Sequence, residues 1–194
     1  MPIKRVAVLF SGSGSNLEAL LEKLHNKVFN GTKIEIALTI TNKKDAGGIK
    51  RSQKFGIEPE LIEHKDFDSR EEFDEALVRK IKKENIDLTV LAGFMRILTP
   101  VFTNQIKAIN LHPSLLPLFK GANAIKESFE SNEPRAGVTV HWVSEELDSG
   151  EIIAQKSFEK EKKMSFEKFK EKIHKIEHEI LPETVIKLLC EKMN

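Results

Sequence analysis

A chain of 194 residues with 31 lysines and arginines against 30 aspartates and glutamates is nearly neutral, which argues against a general nucleic-acid-binding surface. Hydrophobic residues make up 40% and charged residues 31%, enough to bury one sizeable core, so a single domain over residues 1–194 is expected. The one cysteine, Cys190, excludes an internal disulfide, and no signal-like or 18-residue apolar run occurs, so the expectation is a soluble cytoplasmic protein without a membrane partner.

The apolar run at residues 6–10 ends in Ser11-Gly12-Ser13-Gly14-Ser15-Asn16, and a helical pattern begins at Leu17, giving strand, glycine loop and helix. Residues 34–40 read as a second strand, 41–45 as a polar turn and 46–55 as a helix, followed by a weaker strand at 58–62. The next helix spans 69–83, with Asp68 or Ser69 as its cap and Glu71 and Glu72 in its first turn. Residues 88–92 return to the sheet. This alternation predicts an α/β fold with a mostly parallel, Rossmann-like twisted sheet and helices on both faces. Beyond His112 the pattern changes to a helix near 122–131 and strands at 137–143 and 152–156, joined by the short loop 144–150 as an antiparallel hairpin. A long helix over 165–192 packs Phe166, Phe169, Ile173 and Ile176 against the body, with Pro182 expected to kink or break it.

In such folds ligands bind beyond the C-terminal ends of the strands. Asn110 and His112 stand two apart at the end of an apolar strand that Pro113 stops, so both project from one face as a catalytic or a structural hydrogen-bonded pair. Asp148, in the glycine-containing turn Glu146-Leu147-Asp148-Ser149-Gly150, adds a carboxylate over the same crevice. An amide donor, an imidazole and a carboxylate suit acyl transfer, and no protein nucleophile is needed if the incoming substrate is an amine. Ser114 lacks a nucleophile-elbow pattern around it.

The loop Gly12-Ser13-Gly14-Ser15-Asn16 presents backbone N–H groups at a helix start, either as a phosphate site or as a tight turn in which Ser15 or Asn16 caps the helix. Position 17, where a dinucleotide fingerprint needs its third glycine, is leucine, and the Walker lysine is absent, so neither NAD nor ATP is expected. Met95-Arg96-Ile97-Leu98 at another strand end suits a flat heteroaromatic ligand, or is an ordinary loop with a solvated arginine. His141 alternates with Thr139 and either faces the core or lines the pocket, the structural reading being favoured. His112, His141 and Asp148 lack metal-ligand spacing, so no metal is expected.

Five motifs in order carry a family resemblance: Ser11 to Leu17, Asp68-Ser69-Arg70, Leu91 to Leu98, Asn110-Leu111-His112-Pro113-Ser114-Leu115-Leu116-Pro117, and Glu146 to Gly150. Together they resemble the folate-dependent phosphoribosylglycinamide formyltransferase (glycinamide ribonucleotide transformylase) family of purine synthesis over nearly the whole chain. The resemblance implies the formyltransferase fold and transfer of the formyl group of 10-formyltetrahydrofolate to the amine of glycinamide ribonucleotide on the route to IMP. It implies small-molecule partners only, no nucleic acid, and a monomer or homodimer. It makes Asn110, His112 and Asp148 the catalytic trio and puts the ribonucleotide on Gly12, Ser13, Gly14, Ser15 and Asn16. It assigns folate contacts to Met95, Arg96, Ile97, Leu98, Asn110 and Asp148, with Arg70 facing the glutamate tail. Glu177, in Glu177-His178-Glu179-Ile180-Leu181-Pro182, would contact the glycinamide part. Residues 1–110 then form a phosphate-binding half, and 111–194 complete the folate and catalytic site.

One stretch departs. Lys120-Gly121-Ala122-Asn123-Ala124-Ile125 stands where many members carry a Pro-Gly-Leu-His-Thr-His type run, so no role is carried over to Asn123. The Gly-Ala-x-x-Ile pattern is more similar to methionyl-tRNA formyltransferase, which adds a C-terminal RNA-binding domain. Alternative readings are a formyltransferase for another amine, such as an amino sugar nucleotide, and a non-catalytic phosphate-ligand module. Retention of Asn110, His112 and Asp148 together favours catalysis.

Overall fold

In the first strand, β1 (Ile3–Phe10), Val6, Val8 and Phe10 face one core and Ala7 and Leu9 face another, and all five are fully buried. A strand that alternates between two apolar layers belongs in the middle of a covered sheet. The computed structural model describes residues 1–191. Along the chain follow α1 (Ser15–Leu24), β2 (Lys27–Phe29), β3 (Thr32–Thr41), α2 (Gly48–Lys54), β4 (Glu60–Leu61) and α3 (Arg70–Lys83). After these come β5 (Leu88–Leu91), α4 (Pro100–Thr103), β6 (Ala108–His112), α5 (Ala124–Glu130), β7 (Arg135–Trp142), β8 (Ile152–Glu159) and α6 (Phe166–Cys190).

Among the described residues the strands form one mixed eight-stranded sheet in the order β2-β3-β1-β5-β6-β7-β8, with β4 beside β3. The pairings β3-β1, β1-β5, β5-β6 and β3-β4 are parallel, and the closing β6-β7 and β7-β8 pairings are antiparallel, as the α/β reading with a C-terminal hairpin expects. On one face, the Leu17, Leu20, Leu21 and Leu24 stripe of α1 packs with Phe169, Ile173 and Ile176 of α6; on the other, Phe73, Leu77 and Ile81 of α3 cover the sheet. Phe169 is fully buried between Phe129 and Phe158, and its truncation to alanine costs roughly 3–5 kcal/mol. No described helix is long and apolar enough to cross a membrane.

Several elements differ from the sequence reading. An antiparallel β2-β3 hairpin precedes the second parallel strand, turned by Asn30 and Gly31, both at positive φ. The third strand shrinks to Glu60–Leu61, and α5 begins at Ala124. Ser69, not Asp68, caps α3, its hydroxyl accepting from the Glu72 N–H. Pro182 does not break α6, which continues to Cys190; residue 192, where the long helix was expected to end, lies outside the described residues. A proline at 182 has no N–H for the His178 carbonyl, and Lys23 Nζ donates to that carbonyl at 2.6 Å instead. A replacement donor from α1 removes most of the reason for a break.

Candidate active site

The C-terminal ends of β1, β5 and β6 open into one cleft of about 750 Å³, whose lining includes residues 12–16, residues 91–98, Asn110, His112, Asp148 and Glu177. That volume is the size of a site for a sizeable small molecule. Sequence reasoning placed the two loops at strand ends; the shared strand direction brings them together.

The anion loop is shaped by close backbone contact. Gly14 has φ +77°, and a Cβ there would lie 2.4 Å from the Cα of Gly48, so the loop rests directly on the start of α2. Arg51 of α2 donates from Nε to the Ser13 carbonyl at 2.9 Å and pairs with Glu18 of α1. Gly14, rather than the expected Ser15 or Asn16, occupies the N-cap of α1, and no side chain bonds to the first-turn N–H groups. Those donors and the positive end of the helix dipole therefore stay open toward the cleft. Asn16 instead donates from Nδ2 to Glu177 Oε2 at 3.3 Å, bringing two expected substrate residues into contact across α1 and α6.

Ser11 ties this loop to its neighbour. Its N–H donates to the Gly93 carbonyl at 3.0 Å, and its hydroxyl accepts the Met95 N–H at 2.8 Å while donating to Asn42 Oδ1 at 2.6 Å. Met95 and Ile97 are exposed at 62% and 52%, and with Leu147 from the β7-β8 loop they form an apolar wall of the cleft. Exposed apolar side chains lining a cavity fit a flat ring system. Leu98 lines the same cleft but is buried in the core beneath it. Arg70 lies beside the main cleft, in a smaller hollow shared with Arg96, and donates to the Ile97 carbonyl at 2.8 Å.

Between loop and wall sits the expected trio. Asp148 is in the left-handed region at φ +50°, which aspartate tolerates, and its carboxylate returns to the end of β6. Asn110 Nδ2 donates to Asp148 Oδ1 at 3.4 Å, His112 Nδ1 lies 3.4 Å from Asp148 Oδ2, and the Gly121 N–H donates to that same oxygen at 2.9 Å. His112 Nε2 donates to the Phe119 carbonyl at 2.8 Å. Both ring nitrogens thus face acceptors, an arrangement that the imidazolium satisfies. Burial pushes the Asp148 carboxyl up, but bonding from His141 and the Gly121 N–H, with charge on His112 and His141, brings it below the usual carboxylate value.

His141 is placed in the site, unlike the structural reading. It pairs across strands with Asn110, and its Nε2 lies 3.1 Å from Asn110 Nδ2 and 3.7 Å from Asp148 Oδ1. Its Nδ1–H donates to the Trp142 carbonyl at 2.9 Å; Nε2 accepts from the Asn110 amide in the neutral ring and faces Asp148 as a donor in the charged one. The antiparallel register was the signal that could have found it. His174 and Lys170 of α6 and Gly121 also line the cleft and were missed; His174, three residues before Glu177, shares its helix face. Ser114 is fully buried and donates to the Leu118 carbonyl at 2.6 Å, so it offers no nucleophile. Among the described residues no three histidine, cysteine, aspartate or glutamate side chains group as metal ligands do.

Comparison with known proteins adds to this geometry. Residues 4–185 match the family model described as formyl transferase. The chain is 42% identical over 187 residues to the trifunctional purine biosynthetic protein adenosine-3 of Chironomus tentans, covering 95% of this chain but only 14% of that protein. It is thus about one seventh the length of the first such relative. It is 35% identical over 189 residues to the phosphoribosylglycinamide formyltransferase of Bacillus subtilis, covering 96% of this chain and 95% of that protein. The crystal structure of phosphoribosylglycinamide formyltransferase from Campylobacter jejuni superposes with a TM-score of 0.94 at 64% identity, over 96% of this chain and 97% of that one.

Proposed function

The chain belongs to the formyl transferase family, and we propose that it transfers the formyl group of 10-formyltetrahydrofolate to the amine of glycinamide ribonucleotide in purine synthesis. The observation that carries this reading is the meeting of Asn110, His112 and Asp148 between an anion-ready helix start and an apolar wall. The ribonucleotide phosphate takes the N–H groups of residues 14–16, with Glu177 toward the glycinamide part. The folate ring lies along Met95, Ile97 and Leu147, with Arg96 and Arg70 toward its glutamate end.

The neutral amine attacks the formyl carbon, forming the new C–N bond. The Asn110 amide and the His112 imidazolium, whose Nε2–H turns from the Phe119 carbonyl, donate to the developing oxyanion. Asp148 balances the imidazolium and relays the amine proton through water to the departing folate nitrogen as the old C–N bond breaks. The reaction needs no metal, nucleic acid or membrane, and the proposal places it in the cytoplasm. Mixing the purified protein with both substrates and following folate absorbance tests the reading. Turnover with that pair is expected; turnover only with another amine, such as an amino sugar nucleotide, would overturn it.

A further inference from the structure

The loop between β7 and β8 carries Leu147 of the apolar wall and Asp148 of the proposed trio, yet its backbone does little to hold it. At its base the Trp142 N–H donates to the Glu151 carbonyl at 2.9 Å, and a Cβ on Gly150 would lie 1.7 Å from the Trp142 carbonyl oxygen, so loop and strand touch there. Beyond that base, among the described residues, 144–149 make no backbone-to-backbone hydrogen bond. Side chains therefore set where the loop sits over the cleft.

Apart from Asn110, His112 and His141, the polar contacts that reach this loop come from the start of the divergent stretch. Lys120 Nζ donates to Ser149 Oγ at 2.5 Å and lies 3.7 Å from Glu146 Oε1, and the Gly121 N–H donates to Asp148 Oδ2 at 2.9 Å. Ser149 passes the contact on: its hydroxyl, accepting from Lys120, donates to the Leu147 carbonyl at 3.0 Å. A hydroxyl polarised by a cation is the stronger donor, so the two bonds reinforce each other. The relay from Lys120 through Ser149 to Leu147 thus ties down the residue on either side of Asp148. Lys120 itself lies outside the cleft lining, which in this segment begins at Gly121.

We propose that Lys120 is a positioning residue for the formyl donor. Through Ser149 it holds the 144–149 loop so that Leu147 stays on the side met by the folate ring and Asp148 stays over the end of β6. The inference rests on the donor reading and deepens it, giving a role to the start of the stretch that departs from the family pattern. A loop held in place before the ligand arrives loses less binding free energy to ordering. Removal of the ammonium therefore weakens the hold on the folate, while the 12–16 loop, shaped by Gly48 and Arg51, keeps its hold on the ribonucleotide.

The test is a double-mutant cycle with Lys120→Met, which keeps the aliphatic stem, and Ser149→Ala. It is read by calorimetry as affinity for tetrahydrofolate, the deformylated donor, beside affinity for glycinamide ribonucleotide. Each single variant should weaken tetrahydrofolate binding about two- to fivefold, the range of an exposed charged contact. The double variant should lose no more than either single one, since both break the same relay. Ribonucleotide affinity should stay at the wild-type value in all three. Losses that multiply in the double variant, or either single variant binding tetrahydrofolate as the wild type does, would overturn the inference, because Lys120 would then not act through Ser149. A loss shared equally by the ribonucleotide would overturn it too, as the sign of a weakened fold. Each of these outcomes leaves the proposed reaction standing. Wild-type protein that fails to bind tetrahydrofolate overturns the donor reading, and the inference with it.

Discussion

The Gly121 N–H donates to Asp148 Oδ2 at 2.9 Å, so the backbone of a divergent segment holds a carboxylate of the proposed trio. Gly121 has φ +90°, and a Cβ there would meet nothing within 4 Å, so Gly121→Ala suffers from backbone conformation rather than crowding. The left-handed penalty is roughly 1–2 kcal/mol. If the backbone turns to relieve it, Asp148 loses its donor. We expect turnover to fall about five- to thirtyfold, with ribonucleotide affinity unchanged by calorimetry, because Gly121 bonds Asp148 rather than the anion loop.

Asp148→Asn removes the charge that faces both histidines and should lower kcat about a hundred- to thousandfold, as loss of a preorganised electrostatic partner does. It also carries a pH signature. The folded carboxyl lies below its ordinary value, despite burial, through His141, the Gly121 N–H and the charge on His112. A depressed folded pKa gives stability that is present above the unfolded value of about 3.9 and lost as pH falls through the folded value. Urea unfolding at neutral pH and below pH 4 should therefore show the gap between wild type and Asp148→Asn narrowing in acid.

His112→Ala and Asn110→Ala each remove one proposed oxyanion donor. Each should cost roughly 3–4 kcal/mol in transition-state stabilisation, about a hundred- to thousandfold in kcat. Neither side chain touches the 12–16 loop, so ribonucleotide affinity should stay near wild type. Stopped-flow turnover beside calorimetric titration separates the two, and near wild-type turnover in His112→Ala would reject its role.

The central elements were legible because each has a local cause. The apolar run of β1, the glycine break after it and the Ser69 cap are written in consecutive residues, and so are Asn110 and His112 at strand pitch. Asn30-Gly31, the two-residue turn signal of a hairpin, is just as local but went unread. What else escaped depends on pairing between distant segments. His141 meets Asn110 only once β7 is registered against β6, and Asn16 meets Glu177, the partner of His174, only once α6 lies beside α1. Pro182 was misread for the same reason: the donor that relieves the helix, Lys23, is 155 residues from the carbonyl it serves.

Asp74 extends the argument to the apolar wall. This α3 residue is 1% exposed, and its Oδ2 accepts both the N–H and the hydroxyl of Thr99, at 2.5 Å and 2.7 Å. Thr99 closes the loop that carries Met95 and Ile97 and is the N-cap of α4. Burial pushes the Asp74 carboxyl up, and the two Thr99 bonds only partly offset it. Asp74→Ala leaves two buried donors without their acceptor, at roughly 1–3 kcal/mol for each unsatisfied group. The loop should loosen, raising KM for 10-formyltetrahydrofolate about five- to thirtyfold while changing ribonucleotide affinity far less, since the 12–16 loop, though tied to it through Ser11, is also held by Gly48 and Arg51. Asp74→Asn keeps an acceptor oxygen for Thr99 without the buried charge, so it should restore most of the donor KM. Initial rates across both substrate concentrations decide the matter: equal effects on the two KM values would mean a general loss of fold rather than a loosened wall.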